Sequence, residues 1–293
     1  MRTLEQLLKE GVRILAASGN PEARLDAWLL LEYTTKRNRA YFYAHPDEEV
    51  GKEEEERYVG LCRKRAEHIP LQHLTHQAFF MGYEFYVNEH VLIPRQDTEV
   101  LVEEAETIIK NQPISNPRIL DMCTGSGCIL LSLLADCETA QGSAADISAE
   151  ALKVAQKNAE TLGVSKRAHF VESNLFSNEF FAEKDGKVSV MYDILISNPP
   201  YIPTAEIEEL MEEVRLHDPR QALDGLEDGL YFYQRITEQA AKYLKPGGWL
   251  LYEIGCSQGK DVSEMLKAAG FVKVAVKKDL AGLDRVVMGQ KIE

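Results

Sequence analysis

The feature that most constrains the fold is the alternation of short apolar strands with helices between residues 118 and 289. Strands joined in this way by crossover helices are typical of a largely parallel sheet with helices on both faces. The predicted strands are Arg118–Met122, Gly142–Asp146, His169–Glu172, Asp193–Ser197, Trp249–Ile254, Phe271–Val276 and Arg285–Gly289. The predicted helices are Gly127–Ala135, Ala149–Leu162, Leu230–Leu244 and Val262–Ala269.

The first 76 residues have a different pattern, which predicts a small helical bundle. Leu4, Leu7, Leu8 and Leu15 recur at helical spacing, and further helices are predicted around 25–32 and 52–67. Residues 79–93 are rich in aromatic and β-branched residues and contain the turn-prone pair Asn88-Glu89, which predicts a β-hairpin that bridges two domains. The expected organisation is a helical substrate-recognition domain (1–76), the hairpin linker (77–95) and a larger α/β domain (96–293).

Composition and charge exclude several classes of protein. Hydrophobic residues make up 45% and charged residues 27% of the 293 positions, which is ordinary globular composition. No apolar run approaches the roughly 20 residues of a membrane span, and the first ten residues carry Glu5 and Glu10 where a secretory signal is basic and then apolar. We therefore expect a cytoplasmic protein without membrane partners, with a monomer as the default.

The acidic charge lies almost entirely in the larger domain. The formal net charge is −14; residues 1–80 hold 12 basic and 13 acidic side chains, and residues 81–293 hold 21 basic and 34 acidic ones. Duplex nucleic acids are bound mainly through neutralisation of phosphates, so this balance disfavours a nucleic-acid partner. The five cysteines show no CxxC spacing, and His68, His73 and His76 lack visible co-ligands. The sequence therefore predicts reduced thiols and no metal site.

A glycine-containing loop follows the first strand of the α/β region, with the sequence Asp121-Met122-Cys123-Thr124-Gly125-Ser126-Gly127. Glycines between a strand and a helix let a ligand approach the backbone closely. The third glycine of a dinucleotide fingerprint and the lysine of a P-loop are absent. Asp146 ends the next strand, where a carboxylate can accept ribose hydroxyls. Because Asp121 suits a cationic amino-acid group better than a pyrophosphate, the loop favours S-adenosylmethionine over NAD(P).

The segment Asn198-Pro199-Pro200-Tyr201 follows the strand that ends at Ser197. The two prolines have no backbone N–H and stiffen the chain, which leaves carbonyl oxygens free to face a substrate. The Asn198 side chain adds an acceptor, and the Tyr201 ring can pack against a flat group. Together these groups can hold a planar –NH₂ through both hydrogens. The segment therefore predicts methyl transfer to an amide or to an exocyclic base amine.

On these motifs the sequence resembles the HemK/PrmC family of protein-(glutamine-N5) methyltransferases, which modify peptide chain release factors. The resemblance spans nearly the whole chain. Its most characteristic block precedes the cofactor loop and reads Ile93-Pro94-Arg95-Gln96-Asp97-Thr98-Glu99. Further matching segments are Pro70-Leu71-Gln72, Glu253-Ile254-Gly255 with Gln258-Gly259, and Asp279-Leu280-Ala281-Gly282.

The resemblance implies a class I S-adenosylmethionine-dependent methyltransferase domain, Rossmann-like, behind a small N-terminal helical bundle. It implies that the substrate is the glutamine of the Gly-Gly-Gln loop in class I release factors. The segment Asn198 to Tyr201 (Asn198, Pro199, Pro200, Tyr201) would bind this glutamine and carry the catalysis. The cofactor would be held by Asp121, Cys123, Thr124, Gly125, Ser126, Gly127, Asp146, Asn174, Leu175 and Asn198.

Four positions depart from the family pattern. Cys123 replaces the first glycine common in the cofactor loop, and Asn174 stands where an acidic residue is frequent. His76 stands where the family often has glycine, and Leu226 interrupts a run that is often richer in glycine. None of the four lies in Asn198–Tyr201, so the reaction type that the resemblance implies is unchanged.

Two other functions use some of the same features. An N6-adenine or N4-cytosine methyltransferase has the same catalytic logic, but it requires a basic groove for a flipped base. A non-catalytic nucleotide-sensing or ribosome-associated module predicts a degraded catalytic segment, whereas Asn198–Tyr201 is intact.

Overall fold

The structure, a computed structural model, describes residues 2–112, 114–185 and 187–292. The helices are α1 (Leu4–Ala17), α2 (Ala23–Thr35), α3 (Arg39–Ala44), α4 (Lys52–Ala66), α5 (Leu71–Thr75), α6 (Glu99–Asn111), α7 (Cys128–Asp136), α8 (Ala149–Thr161), α9 (Glu212–His217), α10 (Arg220–Leu223), α11 (Tyr231–Tyr243) and α12 (Gly259–Ala268). The strands are β1 (Gln77–Phe80), β2 (Tyr83–Tyr86), β3 (Arg118–Met122), β4 (Gln141–Asp146), β5 (Ala168–Glu172), β6 (Glu183–Lys184), β7 (Lys187–Val188), β8 (Tyr192–Ser197), β9 (Leu244–Glu253), β10 (Val272–Lys278) and β11 (Asp284–Gln290). None of the helices in the described ranges is long and apolar enough to cross a bilayer.

The chain forms two compact units. The first contains residues up to 77 together with 211–217, and the second contains 78–210 together with residues from 218 onward. The inclusion of 211–217 in the first unit is not visible in the sequence, because these residues lie more than 130 positions from the rest of that unit.

The first unit is a helical bundle that contains a partly buried charge cluster. Thr3 and Gln6 form a capping box at the start of α1, and the fully buried Tyr58 donates a hydrogen bond to the Ala27 carbonyl at 3.1 Å. The Arg65 guanidinium lies 2.7 Å from a carboxylate oxygen of Asp26 and 2.9 Å from one of Glu213 in α9. Because unpaired buried charges are costly, this cluster fixes the segment 211–217 within the unit.

The second unit is built on a seven-stranded sheet of order β10-β11-β9-β8-β3-β4-β5. Strands β3, β4, β5, β8 and β9 pair in parallel, and β11 pairs antiparallel with both β9 and β10. Central strands such as β8 are buried at every position, as expected where helices cover both faces. The α/β class with a mostly parallel sheet, predicted from the strand–helix alternation, is confirmed.

The predicted position of the hairpin turn was wrong. Strands β1 and β2 pair in a two-stranded sheet, and the turn between them is Met81-Gly82 instead of Asn88-Glu89. Gly82 has φ +78°, a conformation that glycine adopts without steric cost. Asn88 lies after the hairpin, where its side chain accepts the backbone N–H of His90 at 3.1 Å. Most of the hairpin, from Ala78 onward, lies in the second unit.

Candidate active site

A cavity of about 320 Å³ lies in the second unit, where β3, β4, β5 and β8 end. Its volume falls in the range of small-molecule sites. Ligands of open α/β sheets bind at this edge, outside the carboxyl ends of the strands. Predicted site residues that line it are Cys123, Thr124, Gly125, Ser126, Asp146, Asn174, Leu175, Asn198 and Pro200. The predicted residues Asp121, Gly127, Pro199 and Tyr201 do not line it.

The loop after β3 turns sharply, and three of its residues have left-handed φ angles. These are Cys123 (φ +64°), Gly125 (φ +54°) and Gly127 (φ +81°). A Cβ on Gly127 would lie 2.8 Å from the Leu131 side chain and 3.1 Å from Ala155, so this glycine allows α7 and α8 to approach the loop. Asn158 supports the turn from α8, because its Nδ2 donates to the Ser126 carbonyl at 2.9 Å.

Asp146 faces the cavity from the end of β4. One carboxylate oxygen accepts the Gly125 N–H and the other accepts the Ser148 N–H, each at 2.9 Å. The pKa of Asp146 is raised because burial outweighs the opposing effect of these two hydrogen bonds. Because a carboxylate oxygen can accept more than one hydrogen bond, both oxygens can also receive ribose hydroxyls.

Asp121 lies on β3 behind the loop and is completely buried. Its Oδ2 accepts the Thr124 hydroxyl at 2.6 Å, while its Oδ1 has no hydrogen-bond partner. Burial raises the pKa of Asp121 to about 7, an effect that the Thr124 hydrogen bond opposes. Buried polar atoms are almost always satisfied, so the unpartnered oxygen, which lies behind the cavity wall, fits a donor such as a water that bridges it to a ligand. With Asp146 and the glycine loop, it fits the ammonium, ribose and amino-acid portions of S-adenosylmethionine.

The segment Asn198–Tyr201 starts where β8 ends. The Ser197 hydroxyl donates to the Met122 carbonyl at 2.6 Å, which ties this strand end to that of β3. Asn198 and Pro200 line the cavity. The Tyr201 hydroxyl instead lies 3.4 Å from a carboxylate oxygen of the buried Glu253. Burial raises the pKa of Tyr201.

The backbone around Tyr201 is held by side chains and backbone groups distant in sequence. Gln258 donates from Nε2 to the Tyr201 carbonyl at 3.0 Å, and a Cβ on Gly229 would collide with that carbonyl. The next residue, Ile202, forms a bridge with Asp224. The segment Asn198–Tyr201 is therefore fixed on both sides of its two prolines.

Several cavity residues were not assigned a role from the sequence. Thr98 and Arg95 line the cavity, and Arg95 forms an ion pair of 2.6 Å with the buried Asp218. The family-like block from Ile93 to Glu99 was the available signal for them. No such signal marked other parts of the wall, which include His90, Val91, Ile147, Ser148, Pro219, Gln221, Ala222, Tyr231 and Phe232. Within the described ranges, no group of three or more His, Cys, Asp or Glu residues could hold a metal ion.

The fold and the site define a class I methyltransferase, whose members use S-adenosylmethionine. Residues 6–75 match the family described as the PrmC N-terminal domain, and residues 96–225 match the methyltransferase small domain. The release factor glutamine methyltransferase of Moorella thermoacetica is 41% identical over 292 residues, covering 99% of each chain. That of Geobacter sulfurreducens is 38% identical over 288 residues, covering 98% of this chain and 96% of the relative. The chain belongs to the release factor glutamine methyltransferase family.

A comparison with solved structures supports the fold independently. The catalytic domain of hMettl16, crystallised in complex with the MAT2A 3'UTR hairpin 6, superposes with a TM-score of 0.57. It is 18% identical and covers 83% of this chain and 82% of its own. At this identity the likeness concerns the fold alone.

Proposed function

We propose that this enzyme transfers a methyl group from S-adenosylmethionine to the side-chain amide nitrogen (N5) of the glutamine in the Gly-Gly-Gln loop of class I release factors. The observation that carries the proposal is the position of Asn198 and Pro200 in the wall of the cavity that Asp146 also lines. An amide-binding segment and a ribose-binding carboxylate therefore face one space. This substrate places the enzyme in the cytoplasm, where translation terminates.

The chain's own residues orient and polarise the substrate amide. The Asn198 Oδ1 and a carbonyl of the proline segment accept the two N–H groups of the glutamine, since prolines leave such carbonyls without competing donors nearby. Hydrogen bonds to fixed acceptors increase the negative character of the amide nitrogen, whose lone pair is otherwise delocalised. Bound S-adenosylmethionine would supply an electrophilic methyl group on a positively charged sulfur, which would keep the electron pair of the broken S–CH₃ bond and leave as a neutral thioether.

Positioning and electrostatics account for the rate enhancement without a strong general base. Fixed acceptors hold the nitrogen in line with the methyl group, so that much of the entropic cost of bringing the two together is met on binding. The nitrogen becomes acidic as it is methylated and loses one of its protons to solvent. Asn198 and the rigid proline segment therefore have to keep their geometry during the reaction. The hydrogen bonds of Ser197 and Gln258 anchor the segment on either side.

The test is methyl transfer from labelled S-adenosylmethionine to a purified bacterial class I release factor. Matched samples contain the same factor with the loop glutamine changed to alanine, or duplex DNA. We expect label on the unaltered factor only. Label on DNA alone would support the base-amine alternative, which the net acidic charge of residues 81–293 disfavours. Label on both factors would show that a different residue is modified.

We also propose that the first unit binds the release factor outside the glutamine loop. Leu25 and Leu29 are exposed one turn apart on α2, and the exposed Tyr43 stacks on Trp28 of the same helix at 6.0 Å between ring centroids. Contiguous exposed apolar side chains are typical of protein-binding surfaces.

The double variant Leu25→Ser/Leu29→Ser is expected to raise KM for the release factor about tenfold, because hot-spot side chains contribute 1 kcal/mol or more each. Steady-state kinetics measure KM and kcat, and calorimetry measures cofactor affinity. We expect kcat and cofactor affinity to stay unchanged. Val272→Ser, which removes a similarly exposed side chain from the edge strand β10, is the control. An unaltered KM in the double variant contradicts the proposal. Point variants are preferable to deletion of 1–76, which would also remove the Arg65 partner of Glu213.

A further inference from the structure

The turn between β10 and β11, residues 279–283, presents apolar side chains to solvent. Leu280 is fully exposed and Leu283 is 48% exposed. The segment Asp279–Gly282 is one of those that resemble the methyltransferase family, yet the cavity does not account for it, because the turn does not line the cavity. Single exposed apolar residues are common on protein surfaces, so the rigidity and the position of this turn decide whether it has a role.

The polar groups of the turn hold it in one conformation. Asp279 is 7% exposed, and one of its carboxylate oxygens accepts the Leu283 N–H at 3.0 Å. Its other oxygen accepts from the Arg285 guanidinium, at 3.2 Å from Nε and 3.0 Å from Nη2. The Gly282 carbonyl accepts from Nζ of Lys278 at 2.9 Å. A side chain presented on such a fixed backbone loses less conformational freedom when a partner binds it.

The turn lies at the edge of the sheet where the candidate active site is found. β11 runs antiparallel to β9 from the end of that strand, where Val286 pairs with Glu253. β9 is parallel to β8, so the start of β11 and the end of β8 share one edge. Neighbouring strands are about 4.8 Å apart. In the order β11-β9-β8, the turn therefore begins about 10 Å from the strand end that carries Asn198.

The turn and the cofactor-binding loop lie on opposite sides of β8. The glycine loop and Asp146 follow β3 and β4, whereas β9 and β11 lie on the other side of β8. A protein substrate whose glutamine reaches Asn198 also covers the surface around it. Specific protein interfaces bury about 800 Å² per partner, an area equal to a disc of about 16 Å radius. A contact of this size centred on Asn198 reaches the turn.

A second copy of this chain is a poorer occupant. Burying two leucine side chains removes roughly 200 Å² from water, whereas a stable dimer interface needs roughly 800 Å² from each partner. Leu280 and Leu283 therefore supply part of a larger contact, and the protein substrate makes such a contact next to them.

We propose that Leu280, together with Leu283, docks into an apolar depression of the class I release factor beside its Gly-Gly-Gln loop. This inference rests on the proposed function, which makes the release factor the substrate. The turn acts on binding of the intact factor and does not touch the reacting amide. Its loss therefore raises KM for the factor and leaves kcat unchanged.

The variant Leu280→Ser is expected to raise KM for the release factor about tenfold, with kcat and cofactor affinity within about twofold. Because the Leu280 side chain is fully exposed, its removal leaves no cavity in the fold. Leu280→Met restores KM to within about threefold. The control is Val272→Ser, at the opposite end of β10, where the side chain is 40% exposed. An unchanged KM in Leu280→Ser overturns the inference.

One measurement does not depend on methylation. A photo-cross-linking amino acid in place of Leu280 is expected to form an adduct with the part of the release factor that carries the glutamine loop, and the same amino acid in place of Val272 is not. No adduct, or an adduct with a second copy of this chain alone, overturns the inference. An adduct from an enzyme that fails to label the factor would refute the proposed function alone.

Discussion

Replacement of Asn198 by alanine is expected to lower kcat for release-factor methylation by about 10²- to 10³-fold, the loss typical of removing one oriented polar group that stabilises a transition state. Asn198 lies in the cavity wall, and its Nδ2 lies 3.5 Å from the Thr98 hydroxyl oxygen. The variant retains Pro199, Pro200 and the backbone anchors of the segment. The expected loss is therefore in the chemical step, with only a modest change in cofactor affinity.

Single-turnover kinetics with saturating cofactor, combined with calorimetric titration of S-adenosylmethionine, separate these effects. Asn174→Ala is the matched control, because it removes another asparagine side chain from the same cavity. We expect Asn174→Ala to weaken cofactor binding and to leave the single-turnover rate near wild type. Undiminished methylation by Asn198→Ala would remove Asn198 from the mechanism.

The fold and the position of the site were predictable because both depend on local sequence patterns. Predicted strands such as Arg118–Met122 and Asp193–Ser197 differ from β3 and β8 by at most one residue at either end. Parallel strands place their carboxyl ends at one edge of the sheet. The cofactor loop, Asp146 and Asn198 each follow such a strand, so their convergence on one cavity follows from topology.

Long-range contacts left no comparable signal. Nothing in the sequence indicates that α9 belongs with the N-terminal helices, because the contacts that join them, such as the ion pair between Arg65 and Glu213, link residues far apart in the chain. The approach of Thr98 to Asn198 likewise spans 100 positions. Such pairs depend on how helices and loops pack on the sheet, which periodicity does not specify.

Three departures from the family pattern lie at positions where the backbone is left-handed, which only the structure shows. In the family pattern that the chain resembles, glycine is common at the positions of Cys123 and His76, and Leu226 interrupts a run that is often richer in glycine. All three residues have left-handed φ angles, of 64°, 56° and 68°. Non-glycine residues in this region cost of order 1 kcal/mol or more each. The family's glycines at these positions are thus explained by backbone geometry, and this chain tolerates the strain.

The second large effect concerns the buried Asp121. Its pKa is raised to about 7 by burial, whereas in the unfolded chain it is near 4. Below about pH 4 the carboxyl is protonated in both states and its burial adds no penalty. As pH rises towards 7, the unfolded state ionises first, so stability is lost progressively until the folded carboxyl also ionises. Over about three pH units the free energy of unfolding falls by up to about 4 kcal/mol.

The variant Asp121→Asn removes this ionisation and keeps an oxygen that can accept from Thr124. Without cofactor, we expect Asp121→Asn to be more stable than wild type at pH 8 by about 1–4 kcal/mol and nearly equal to it at pH 4. Urea unfolding across this range measures the difference. Asp193→Asn is the control of opposite sign, since Asp193 is also buried but is paired with Lys245 at 2.7 Å; its substitution is expected to destabilise at neutral pH.

A role in cofactor binding would explain why a destabilising carboxylate is present in this loop. If the ionised Asp121 attracts the cofactor's ammonium group, directly or through water, wild-type affinity for S-adenosylmethionine rises as pH increases through about 7 and then levels off. The same titration in Asp121→Asn is flat near pH 7 and weaker overall, by about tenfold for one charge-assisted hydrogen bond. S-adenosylmethionine affinities that change identically with pH in both proteins would assign Asp121 to loop structure, with the Thr124 hydrogen bond as its main contribution.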